Sequence, residues 1–239
     1  MSRYVGSHTA MLTPEEWSII LLSLKVSLVA VACTLPIAFG LAWLLARKQL
    51  PGKLLLDALV HLPLVIPPVV TGWLLLIAFG RMGPVGRVLE AWFGVTLMFR
   101  WTGAALAAAV MALPLMVRAI RLSIEAVDRR LEHAARTLGA TPWHSFRTIA
   151  LPLCLPGIAA GAVLGFARSI GEFGATISFV SNIPGETRTL PLAIYAALQV
   201  PGGEAMVARL ALISVLLSFA ALIASELIVR SRDGARHVL

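Results

Sequence analysis

The sequence predicts an all-α integral membrane protein with five transmembrane helices, and three observations carry that expectation. The composition is 59% hydrophobic and only 13% charged, too apolar for a soluble domain of 239 residues. Five apolar stretches approach the length a helix needs to cross a bilayer, and Lys and Arg are sorted between the segments that join them. The formal charge of +8 does not point to nucleic acid, because the basic residues are scattered between apolar runs rather than lining one face of a soluble domain.

A helix rising roughly 1.5 Å per residue crosses a core of roughly 30 Å in about twenty residues. The stretches that qualify are Trp17–Leu45, Leu54–Phe79, Thr102–Val117 with its flanks, Pro156–Phe179 and Ala205–Val229. The first has a readable start: Thr13 as N-cap, Pro14 at the first helical position, Glu15 and Glu16 in the positive first turn, and Trp17 at the interface. It is too long for a signal-peptide core and lacks a small-residue cleavage site, so it is expected to be retained. Cys33 and Cys154 have no metal-ligand spacing and are expected to be free, buried thiols.

Arg47, Lys48 and Lys53 lie between spans one and two. Arg118, Arg121, Arg129, Arg130, Arg136 and Arg147 lie between three and four, and Arg230, Arg232 and Arg236 follow span five. The opposite side receives Arg3, Arg81, Arg87, Arg100, Arg188 and Arg209, half as many. The positive-inside rule therefore places the N-terminus outside and the C-terminus in the cytoplasm, a parity that five spans satisfy. The expected division is an extracytoplasmic N-terminus over residues 1–16, a transmembrane domain over 17–231 and a cytoplasmic tail over 232–239.

Between spans three and four, residues 118–152 change from lipid-like to the composition of a soluble helical hairpin. Asp128 can cap a helix with an apolar stripe at Leu131, Ala134, Ala135 and Leu138; Gly139 can end it at positive φ, and a second short helix can start at Pro142. Glu132-His-Ala134-Ala135, then Gly139, then Ile149-Ala-Leu151-Pro152 resembles the EAA loop of ABC-importer permeases. That resemblance implies a type I ABC-importer permease fold in which this loop is a coupling helix seated on an ATPase. Glu132, Ala134, Ala135, Leu138 and Gly139 are the expected contacts. The chain itself has no phosphate-cradling loop, since Gly52-Lys53 is followed by Leu54 and lacks the upstream glycine. ATP and Mg are therefore expected on a partner ATPase, with no cofactor in this chain.

Within span two, His61-Leu-Pro63-Leu-Val-Ile-Pro67-Pro68 removes three backbone donors and predicts a kink or an unwound turn facing the bundle interior. In span four, Gly157, Gly161, Gly165 and Ser169 form a small-residue stripe suited to close helix packing. Arg168 and Glu172 fall at i, i+4, where they can pair, and ionisable groups this deep are expected to face inward. With Pro67, Pro68, Ser169 and Thr176 they form the expected translocation path. Beyond it, Leu190–Val200 is too short to span and is expected to lie at the interface or dip into it.

The Gly171-Glu-Phe-Gly-Ala-Thr176 segment, the loop from Ser181 to Tyr195, the proline-rich second span and the EAA-like loop together resemble molybdate permease subunits and, less closely, sulfate permeases. The resemblance covers most of the chain beyond about residue 15. It implies import of a tetrahedral oxyanion, molybdate, with tungstate or sulfate as alternatives. It also implies a second permease copy, two ATPase subunits and a periplasmic molybdate-binding protein. An ion-gradient-driven secondary transporter is the alternative of another class, and no evident pair of inverted repeats supports it. An embedded enzyme would need convergent catalytic groups, yet His61, His133 and His144 show no H-E-x-x-H spacing and pair with no nucleophile.

Overall fold

The computed structural model describes residues 12–49 and 51–236, and for residues 225 and 228–236 the backbone alone. Arg3 and the greater part of the expected N-terminal segment lie outside the described residues, as do residues 237–239 of the expected tail. The described residues are helical, with no strand among them. In chain order the elements are α1 (Pro14–Arg47), α2 (Lys53–Val65), α3 (Pro68–Phe79), α4 (Pro84–Phe93), α5 (Trp101–Glu125), α6 (Arg129–Thr137) and α7 (Pro142–Ser145). A π turn (Phe146–Ala150) then leads into α8 (Leu151–Ile170), followed by α9 (Gly174–Val180), α10 (Leu190–Leu198) and α11 (Glu204–Arg236).

α1 starts as its sequence dictates. The Thr13 hydroxyl accepts from the Glu16 N–H at 3.2 Å while the Glu16 carboxylate accepts from the Thr13 N–H at 2.7 Å, closing a capping box around two orphan donors. α5 is the central helix. Its alanines at 104, 105, 107, 108 and 112 are buried, which lets α1 and α8 approach from either side.

The glycine stripe of α8 is spent on α5. A Cβ at Gly157 would sit 2.1 Å from the Ser123 Cβ; at Gly161, 3.0 Å from Ile120; at Gly165, 2.6 Å from the Met116 sulfur. Cys154 is buried in the same region, whereas Cys33 is exposed on α1, contrary to the expectation of two buried thiols; both are free. Cys33 is flanked by exposed Ala32 and falls on the side of α1 away from its buried stripe.

Four helical segments are long and apolar enough to cross a membrane: Pro14–Arg47, Trp101–Glu125, Pro142–Ile170 and Glu204–Ala224. The expected second span carries the break that its proline run predicts. It divides into α2 and α3, which meet at an angle of 114°, and the pair counts as a fifth span only as a broken one. Pro67 and Pro68 in succession contribute no N–H, so the backbone leaves the helix at Ile66 (φ −76°, ψ 148°) and restarts at Pro68. The expected fourth span differs. Its helix begins earlier, runs to Ile170, breaks at Gly171 and resumes as α9.

These two breaks meet. α9 packs on α3, and a Cβ at Gly72 of α3 would lie 2.5 Å from the Ala175 carbonyl oxygen, while one at Gly174 would lie 2.7 Å from the Pro68 Cβ. α10 is tied down rather than loose: the Leu190 N–H donates to the Ser23 hydroxyl of α1 at 2.8 Å, and Leu190, Leu192 and Ala193 are buried.

The α5–α8 seam yields a direct test. Gly157→Leu drives a side chain into Ser123 and the backbone oxygen of Ala119, and should cost at least the roughly 1–3 kcal/mol of core overpacking. Gly40→Ala, at a site with nothing within 4 Å, should be neutral. Thermal unfolding in detergent, followed by size-exclusion chromatography, separates the two.

Candidate coupling hairpin and translocation path

The hairpin between α5 and α8 is built by caps. The Asp128 carboxylate accepts from the Arg130 N–H at 2.9 Å and starts α6; the Thr141 hydroxyl accepts from the His144 N–H at 3.2 Å and starts α7. Between them Gly139 adopts φ +93°, a region that favours glycine, and its N–H donates to the Arg136 carbonyl at 3.1 Å. No residue of α6 is buried. Leu131 and Leu138 are exposed, Leu138 by 89%, so the predicted apolar stripe faces outward rather than into the chain. Ala134 is exposed and Ala135 half-buried, and the outer side of the turn is an open hollow lined by Ala135, Leu138, Gly139, Ala140, Thr141 and His144.

α7 does not end in a loop. It continues through the π turn, where the Leu151 N–H bonds to the Phe146 carbonyl five residues back, into α8. Pro152, one residue on, brings no N–H of its own, and a widened turn accommodates it. Residues 142–170 thus form one rod from the hairpin into the membrane-crossing bundle.

The hairpin is anchored to α1. Arg47, at the last turn of α1, forms an ion pair with Glu132 at 2.7 Å, the two side chains being 10% and 23% exposed. Arg129 donates to the Ala46 carbonyl at 3.2 Å, satisfying part of the end of the same helix. Trp43 stands edge-on to Phe146 at 4.9 Å, and Trp143 stacks on Phe146 at 5.3 Å. Asp57 of α2 pairs with Arg121 of α5 at 3.1 Å and with His61 at 3.3 Å, and Arg121 also holds Glu125 at 2.8 Å. Arg47 entered the sequence reading only as an orienting charge. Its partner lies 85 residues away, and no local pattern signals such a pairing.

Of the path residues, Ser169, Glu172 and Thr176 are buried, Arg168 is half-buried, and Pro67 and Pro68 are exposed on the single chain. The expected interior placement of the two prolines is not met within one chain. Arg168 and Glu172 do pair, at 2.6 Å, but not along a continuous helix, because Glu172 lies past the end of α8. Its second oxygen accepts from the Ala175 N–H at 2.8 Å, an orphan donor in the first turn of α9. Glu172 therefore joins the two halves of a broken helix and neutralises Arg168. The Ser169 hydroxyl on α8 and the Thr71 hydroxyl on α3 are buried without a hydrogen-bond partner.

At the other end of α1, Glu15 pairs with Arg188 at 3.1 Å and Glu16 with Arg209 at 2.7 Å, the latter carboxylate being buried. Lys25 lies 3.7 Å from the Trp101 ring centroid, in cation–π contact. Charges assigned from sequence to opposite sides thus gather at opposite ends of one 34-residue helix.

Apolar spans around a pair of broken helices, with a charged hairpin projecting at one end, define a membrane permease component. The chain belongs to the family of binding-protein-dependent transport system inner membrane components, whose pattern matches residues 36–234. It is 60% identical over 225 residues, 94% of this chain and 98% of the relative, to the molybdenum transport system permease protein ModB of Escherichia coli strain K12. It is 57% identical to the protein of that name from Haemophilus influenzae, covering 88% of this chain and 92% of the relative. Among solved structures, a chain of a bacterial ABC transporter involved in the import of the acidic polysaccharide alginate superposes with a TM-score of 0.70 at 19% identity, covering 92% of this chain and 80% of that one. The fold is that of an ABC-importer permease, and the chain is a transport component rather than an enzyme.

The Arg47–Glu132 tie is testable. Because both groups are largely withdrawn from water, removing one strands the other. Arg47→Ala and Glu132→Ala should each cost roughly 1–3 kcal/mol, and the double variant should cost much less than their sum. A thermal-stability double-mutant cycle on the purified permease measures the coupling.

Proposed function

We propose that this chain is the transmembrane subunit of an ATP-driven importer of molybdate. In this reading two copies enclose one path, each docks one ATPase subunit, and a periplasmic binding protein delivers the anion. ATP and Mg2+ are held by the ATPase, and this chain carries no cofactor. The reading of the anion rests on the relatives named above, and the positive-inside sorting of Lys and Arg supports a cytoplasmic hairpin and C-terminus.

One observation carries the coupling role. The α6–α7 hairpin presents Leu131 and Leu138 outward, has no core of its own, and is continuous with a membrane-crossing helix. An apolar face left open on a charged hairpin fits a partner surface. Glu132 holds the hairpin against α1 while Ala134, Ala135, Leu138 and Gly139 meet the ATPase. When the ATPase pair closes on ATP, the hairpin moves with it, and the rod of residues 142–170 carries that movement to Arg168, Ser169 and the Glu172 joint. Pro67, Pro68 and Thr176 border the path at the facing break.

Uptake of labelled molybdate into vesicles containing permease, ATPase and binding protein tests the reading. Gly139→Pro, which imposes φ near −65° where +93° is needed, and Glu132→Lys, which sets a second cation against Arg47, should each reduce uptake to background while the chain still inserts. Uptake at the unsubstituted rate in both would remove the coupling role, and uptake of sulfate in preference to molybdate would reassign the cargo.

A further inference from the structure

Where α1 ends, two concavities share the Trp43 ring. The first is a cup of about 290 Å³ between the end of α1 and one side of α6. It is lined by Arg47 at the end of α1 and Lys48 just beyond it, and by Arg129, Glu132, His133 and Arg136 from α6, with Trp43 as its apolar wall. Four cationic side chains stand against one carboxylate, and that carboxylate is already engaged by Arg47. Lys48 and Arg136 have no carboxylate partner among the described residues. The Arg47 side chain is nine-tenths buried, and its Nε has no hydrogen-bond partner.

The second is an apolar groove of about 380 Å³, lined by Phe39, Gly40, Trp43, Pro142, Trp143 and Phe146. It runs from the cup along α1 towards the middle of the span. Nothing lies within 4 Å of where a Cβ at Gly40 would point, so the groove is open there.

We propose that the cup and groove together form a binding site for one anionic phospholipid, its phosphate in the cup and an acyl chain along the Phe39–Trp43–Phe146 groove. Basic side chains at the end of a membrane-crossing helix attract anionic headgroups, at about 1 kcal/mol per Lys or Arg. Aromatic rings at the same level mark the headgroup boundary. A soluble anion would use the cup and leave the groove empty, and an acidic side chain of a partner protein would do the same; a phospholipid alone fills both with one molecule. The occupied site bridges α1 and α6 beside the Arg47–Glu132 pair, so the lipid holds the hairpin at the membrane surface. The site stands whichever anion the transporter carries and whichever side the hairpin faces.

Photo-cross-linking tests it in the assembled transporter with its ATPase bound, in nanodiscs of phosphatidylcholine containing a small fraction of acyl-diazirine phosphatidylglycerol or, in parallel, acyl-diazirine phosphatidylcholine. Peptide mapping should find residues 39–48 and 142–146 labelled roughly 25-fold more by the phosphatidylglycerol probe, the product of about fivefold from each of Lys48 and Arg136. Lys48→Ser should lower that preference roughly fivefold, and adding Arg136→Ser should lower it further by a similar factor. Gly40→Leu, whose Cβ meets no protein atom within 4 Å and whose branched end occupies the groove, should cut labelling by the phosphatidylglycerol probe while the labelling of other lipid-facing peptides stays unchanged. Equal labelling by the two probes, or an unaltered preference in Lys48→Ser/Arg136→Ser, would overturn the proposal. So would a preference seen with the permease alone that vanishes when the ATPase binds, which would give the cup to the ATPase.

Discussion

Hydrocarbon offers no partner to a backbone N–H or C=O, and that constraint governs where this chain is allowed to break its helices. Two segments leave the helix at membrane depth, at Ile66–Pro67 and at Gly171–Phe173. Neither stands alone. α3 and α9 restart beside one another, glycines 72 and 174 bring their backbones into contact, and Glu172 takes up an N–H at the first turn of α9. A lipid-facing break would leave such donors bare at a cost of several kcal/mol each. Pairing the two breaks sets α3 and the start of α9 against each other, so that each restart has a protein surface beside it.

The same constraint explains the ionisable pair. Arg168 alone at this depth would be expensive, and Glu172 alone equally so. Joined at 2.6 Å, with the second carboxylate oxygen bonded to the Ala175 amide, they neutralise each other and lock the α8–α9 joint. The guanidinium is thus committed to a joint between two helices, and its charge is compensated there. Beside this pair, the Ser169 and Thr71 hydroxyls are buried without a hydrogen-bond partner among the described residues.

Much of this was legible in the sequence, where local chemistry decides local structure. Thr13 with Pro14 and Glu16, Asp128 as a cap, Gly139 at positive φ and a helix start at Pro142 are all set by residues within one turn of one another. The spacing of Gly157, Gly161 and Gly165 gave the seam with α5 for the same reason. What could not be read was the geometry of the breaks. Apolar periodicity continues across Ile66–Pro67 and across Gly171, so Leu54–Phe79 and Pro156–Phe179 each look like one span; only tertiary packing of α3 on α9 makes a 114° bend affordable. The Arg47–Glu132 pair was equally invisible, since topology assigns the arginine to one loop and the motif assigns the glutamate to another.

That pair also bears on how force enters the bundle. α6 has no buried residue; its caps, its packing on α7 and the π turn, the Arg129 bond to Ala46 and the Arg47–Glu132 pair hold it in place. α7, the π turn and α8 are continuous, and the aromatic contacts of Phe146 with Trp43 and Trp143 brace the point where the rod leaves the hairpin. A displacement of α6 would therefore reach two elements by different means: α8 through the turn at residues 138–141 and the continuous rod of residues 142–170, and α1 through one ion pair and one hydrogen bond. α8 is stiff along its axis and ends at the Glu172 joint, while α1 is held to α6 by contacts that can slide. The stiff rod thus links the hairpin to the end of α8 that meets the broken helices, where Gly174 lies against Pro68, while α1 is joined to the hairpin by polar contacts at its end.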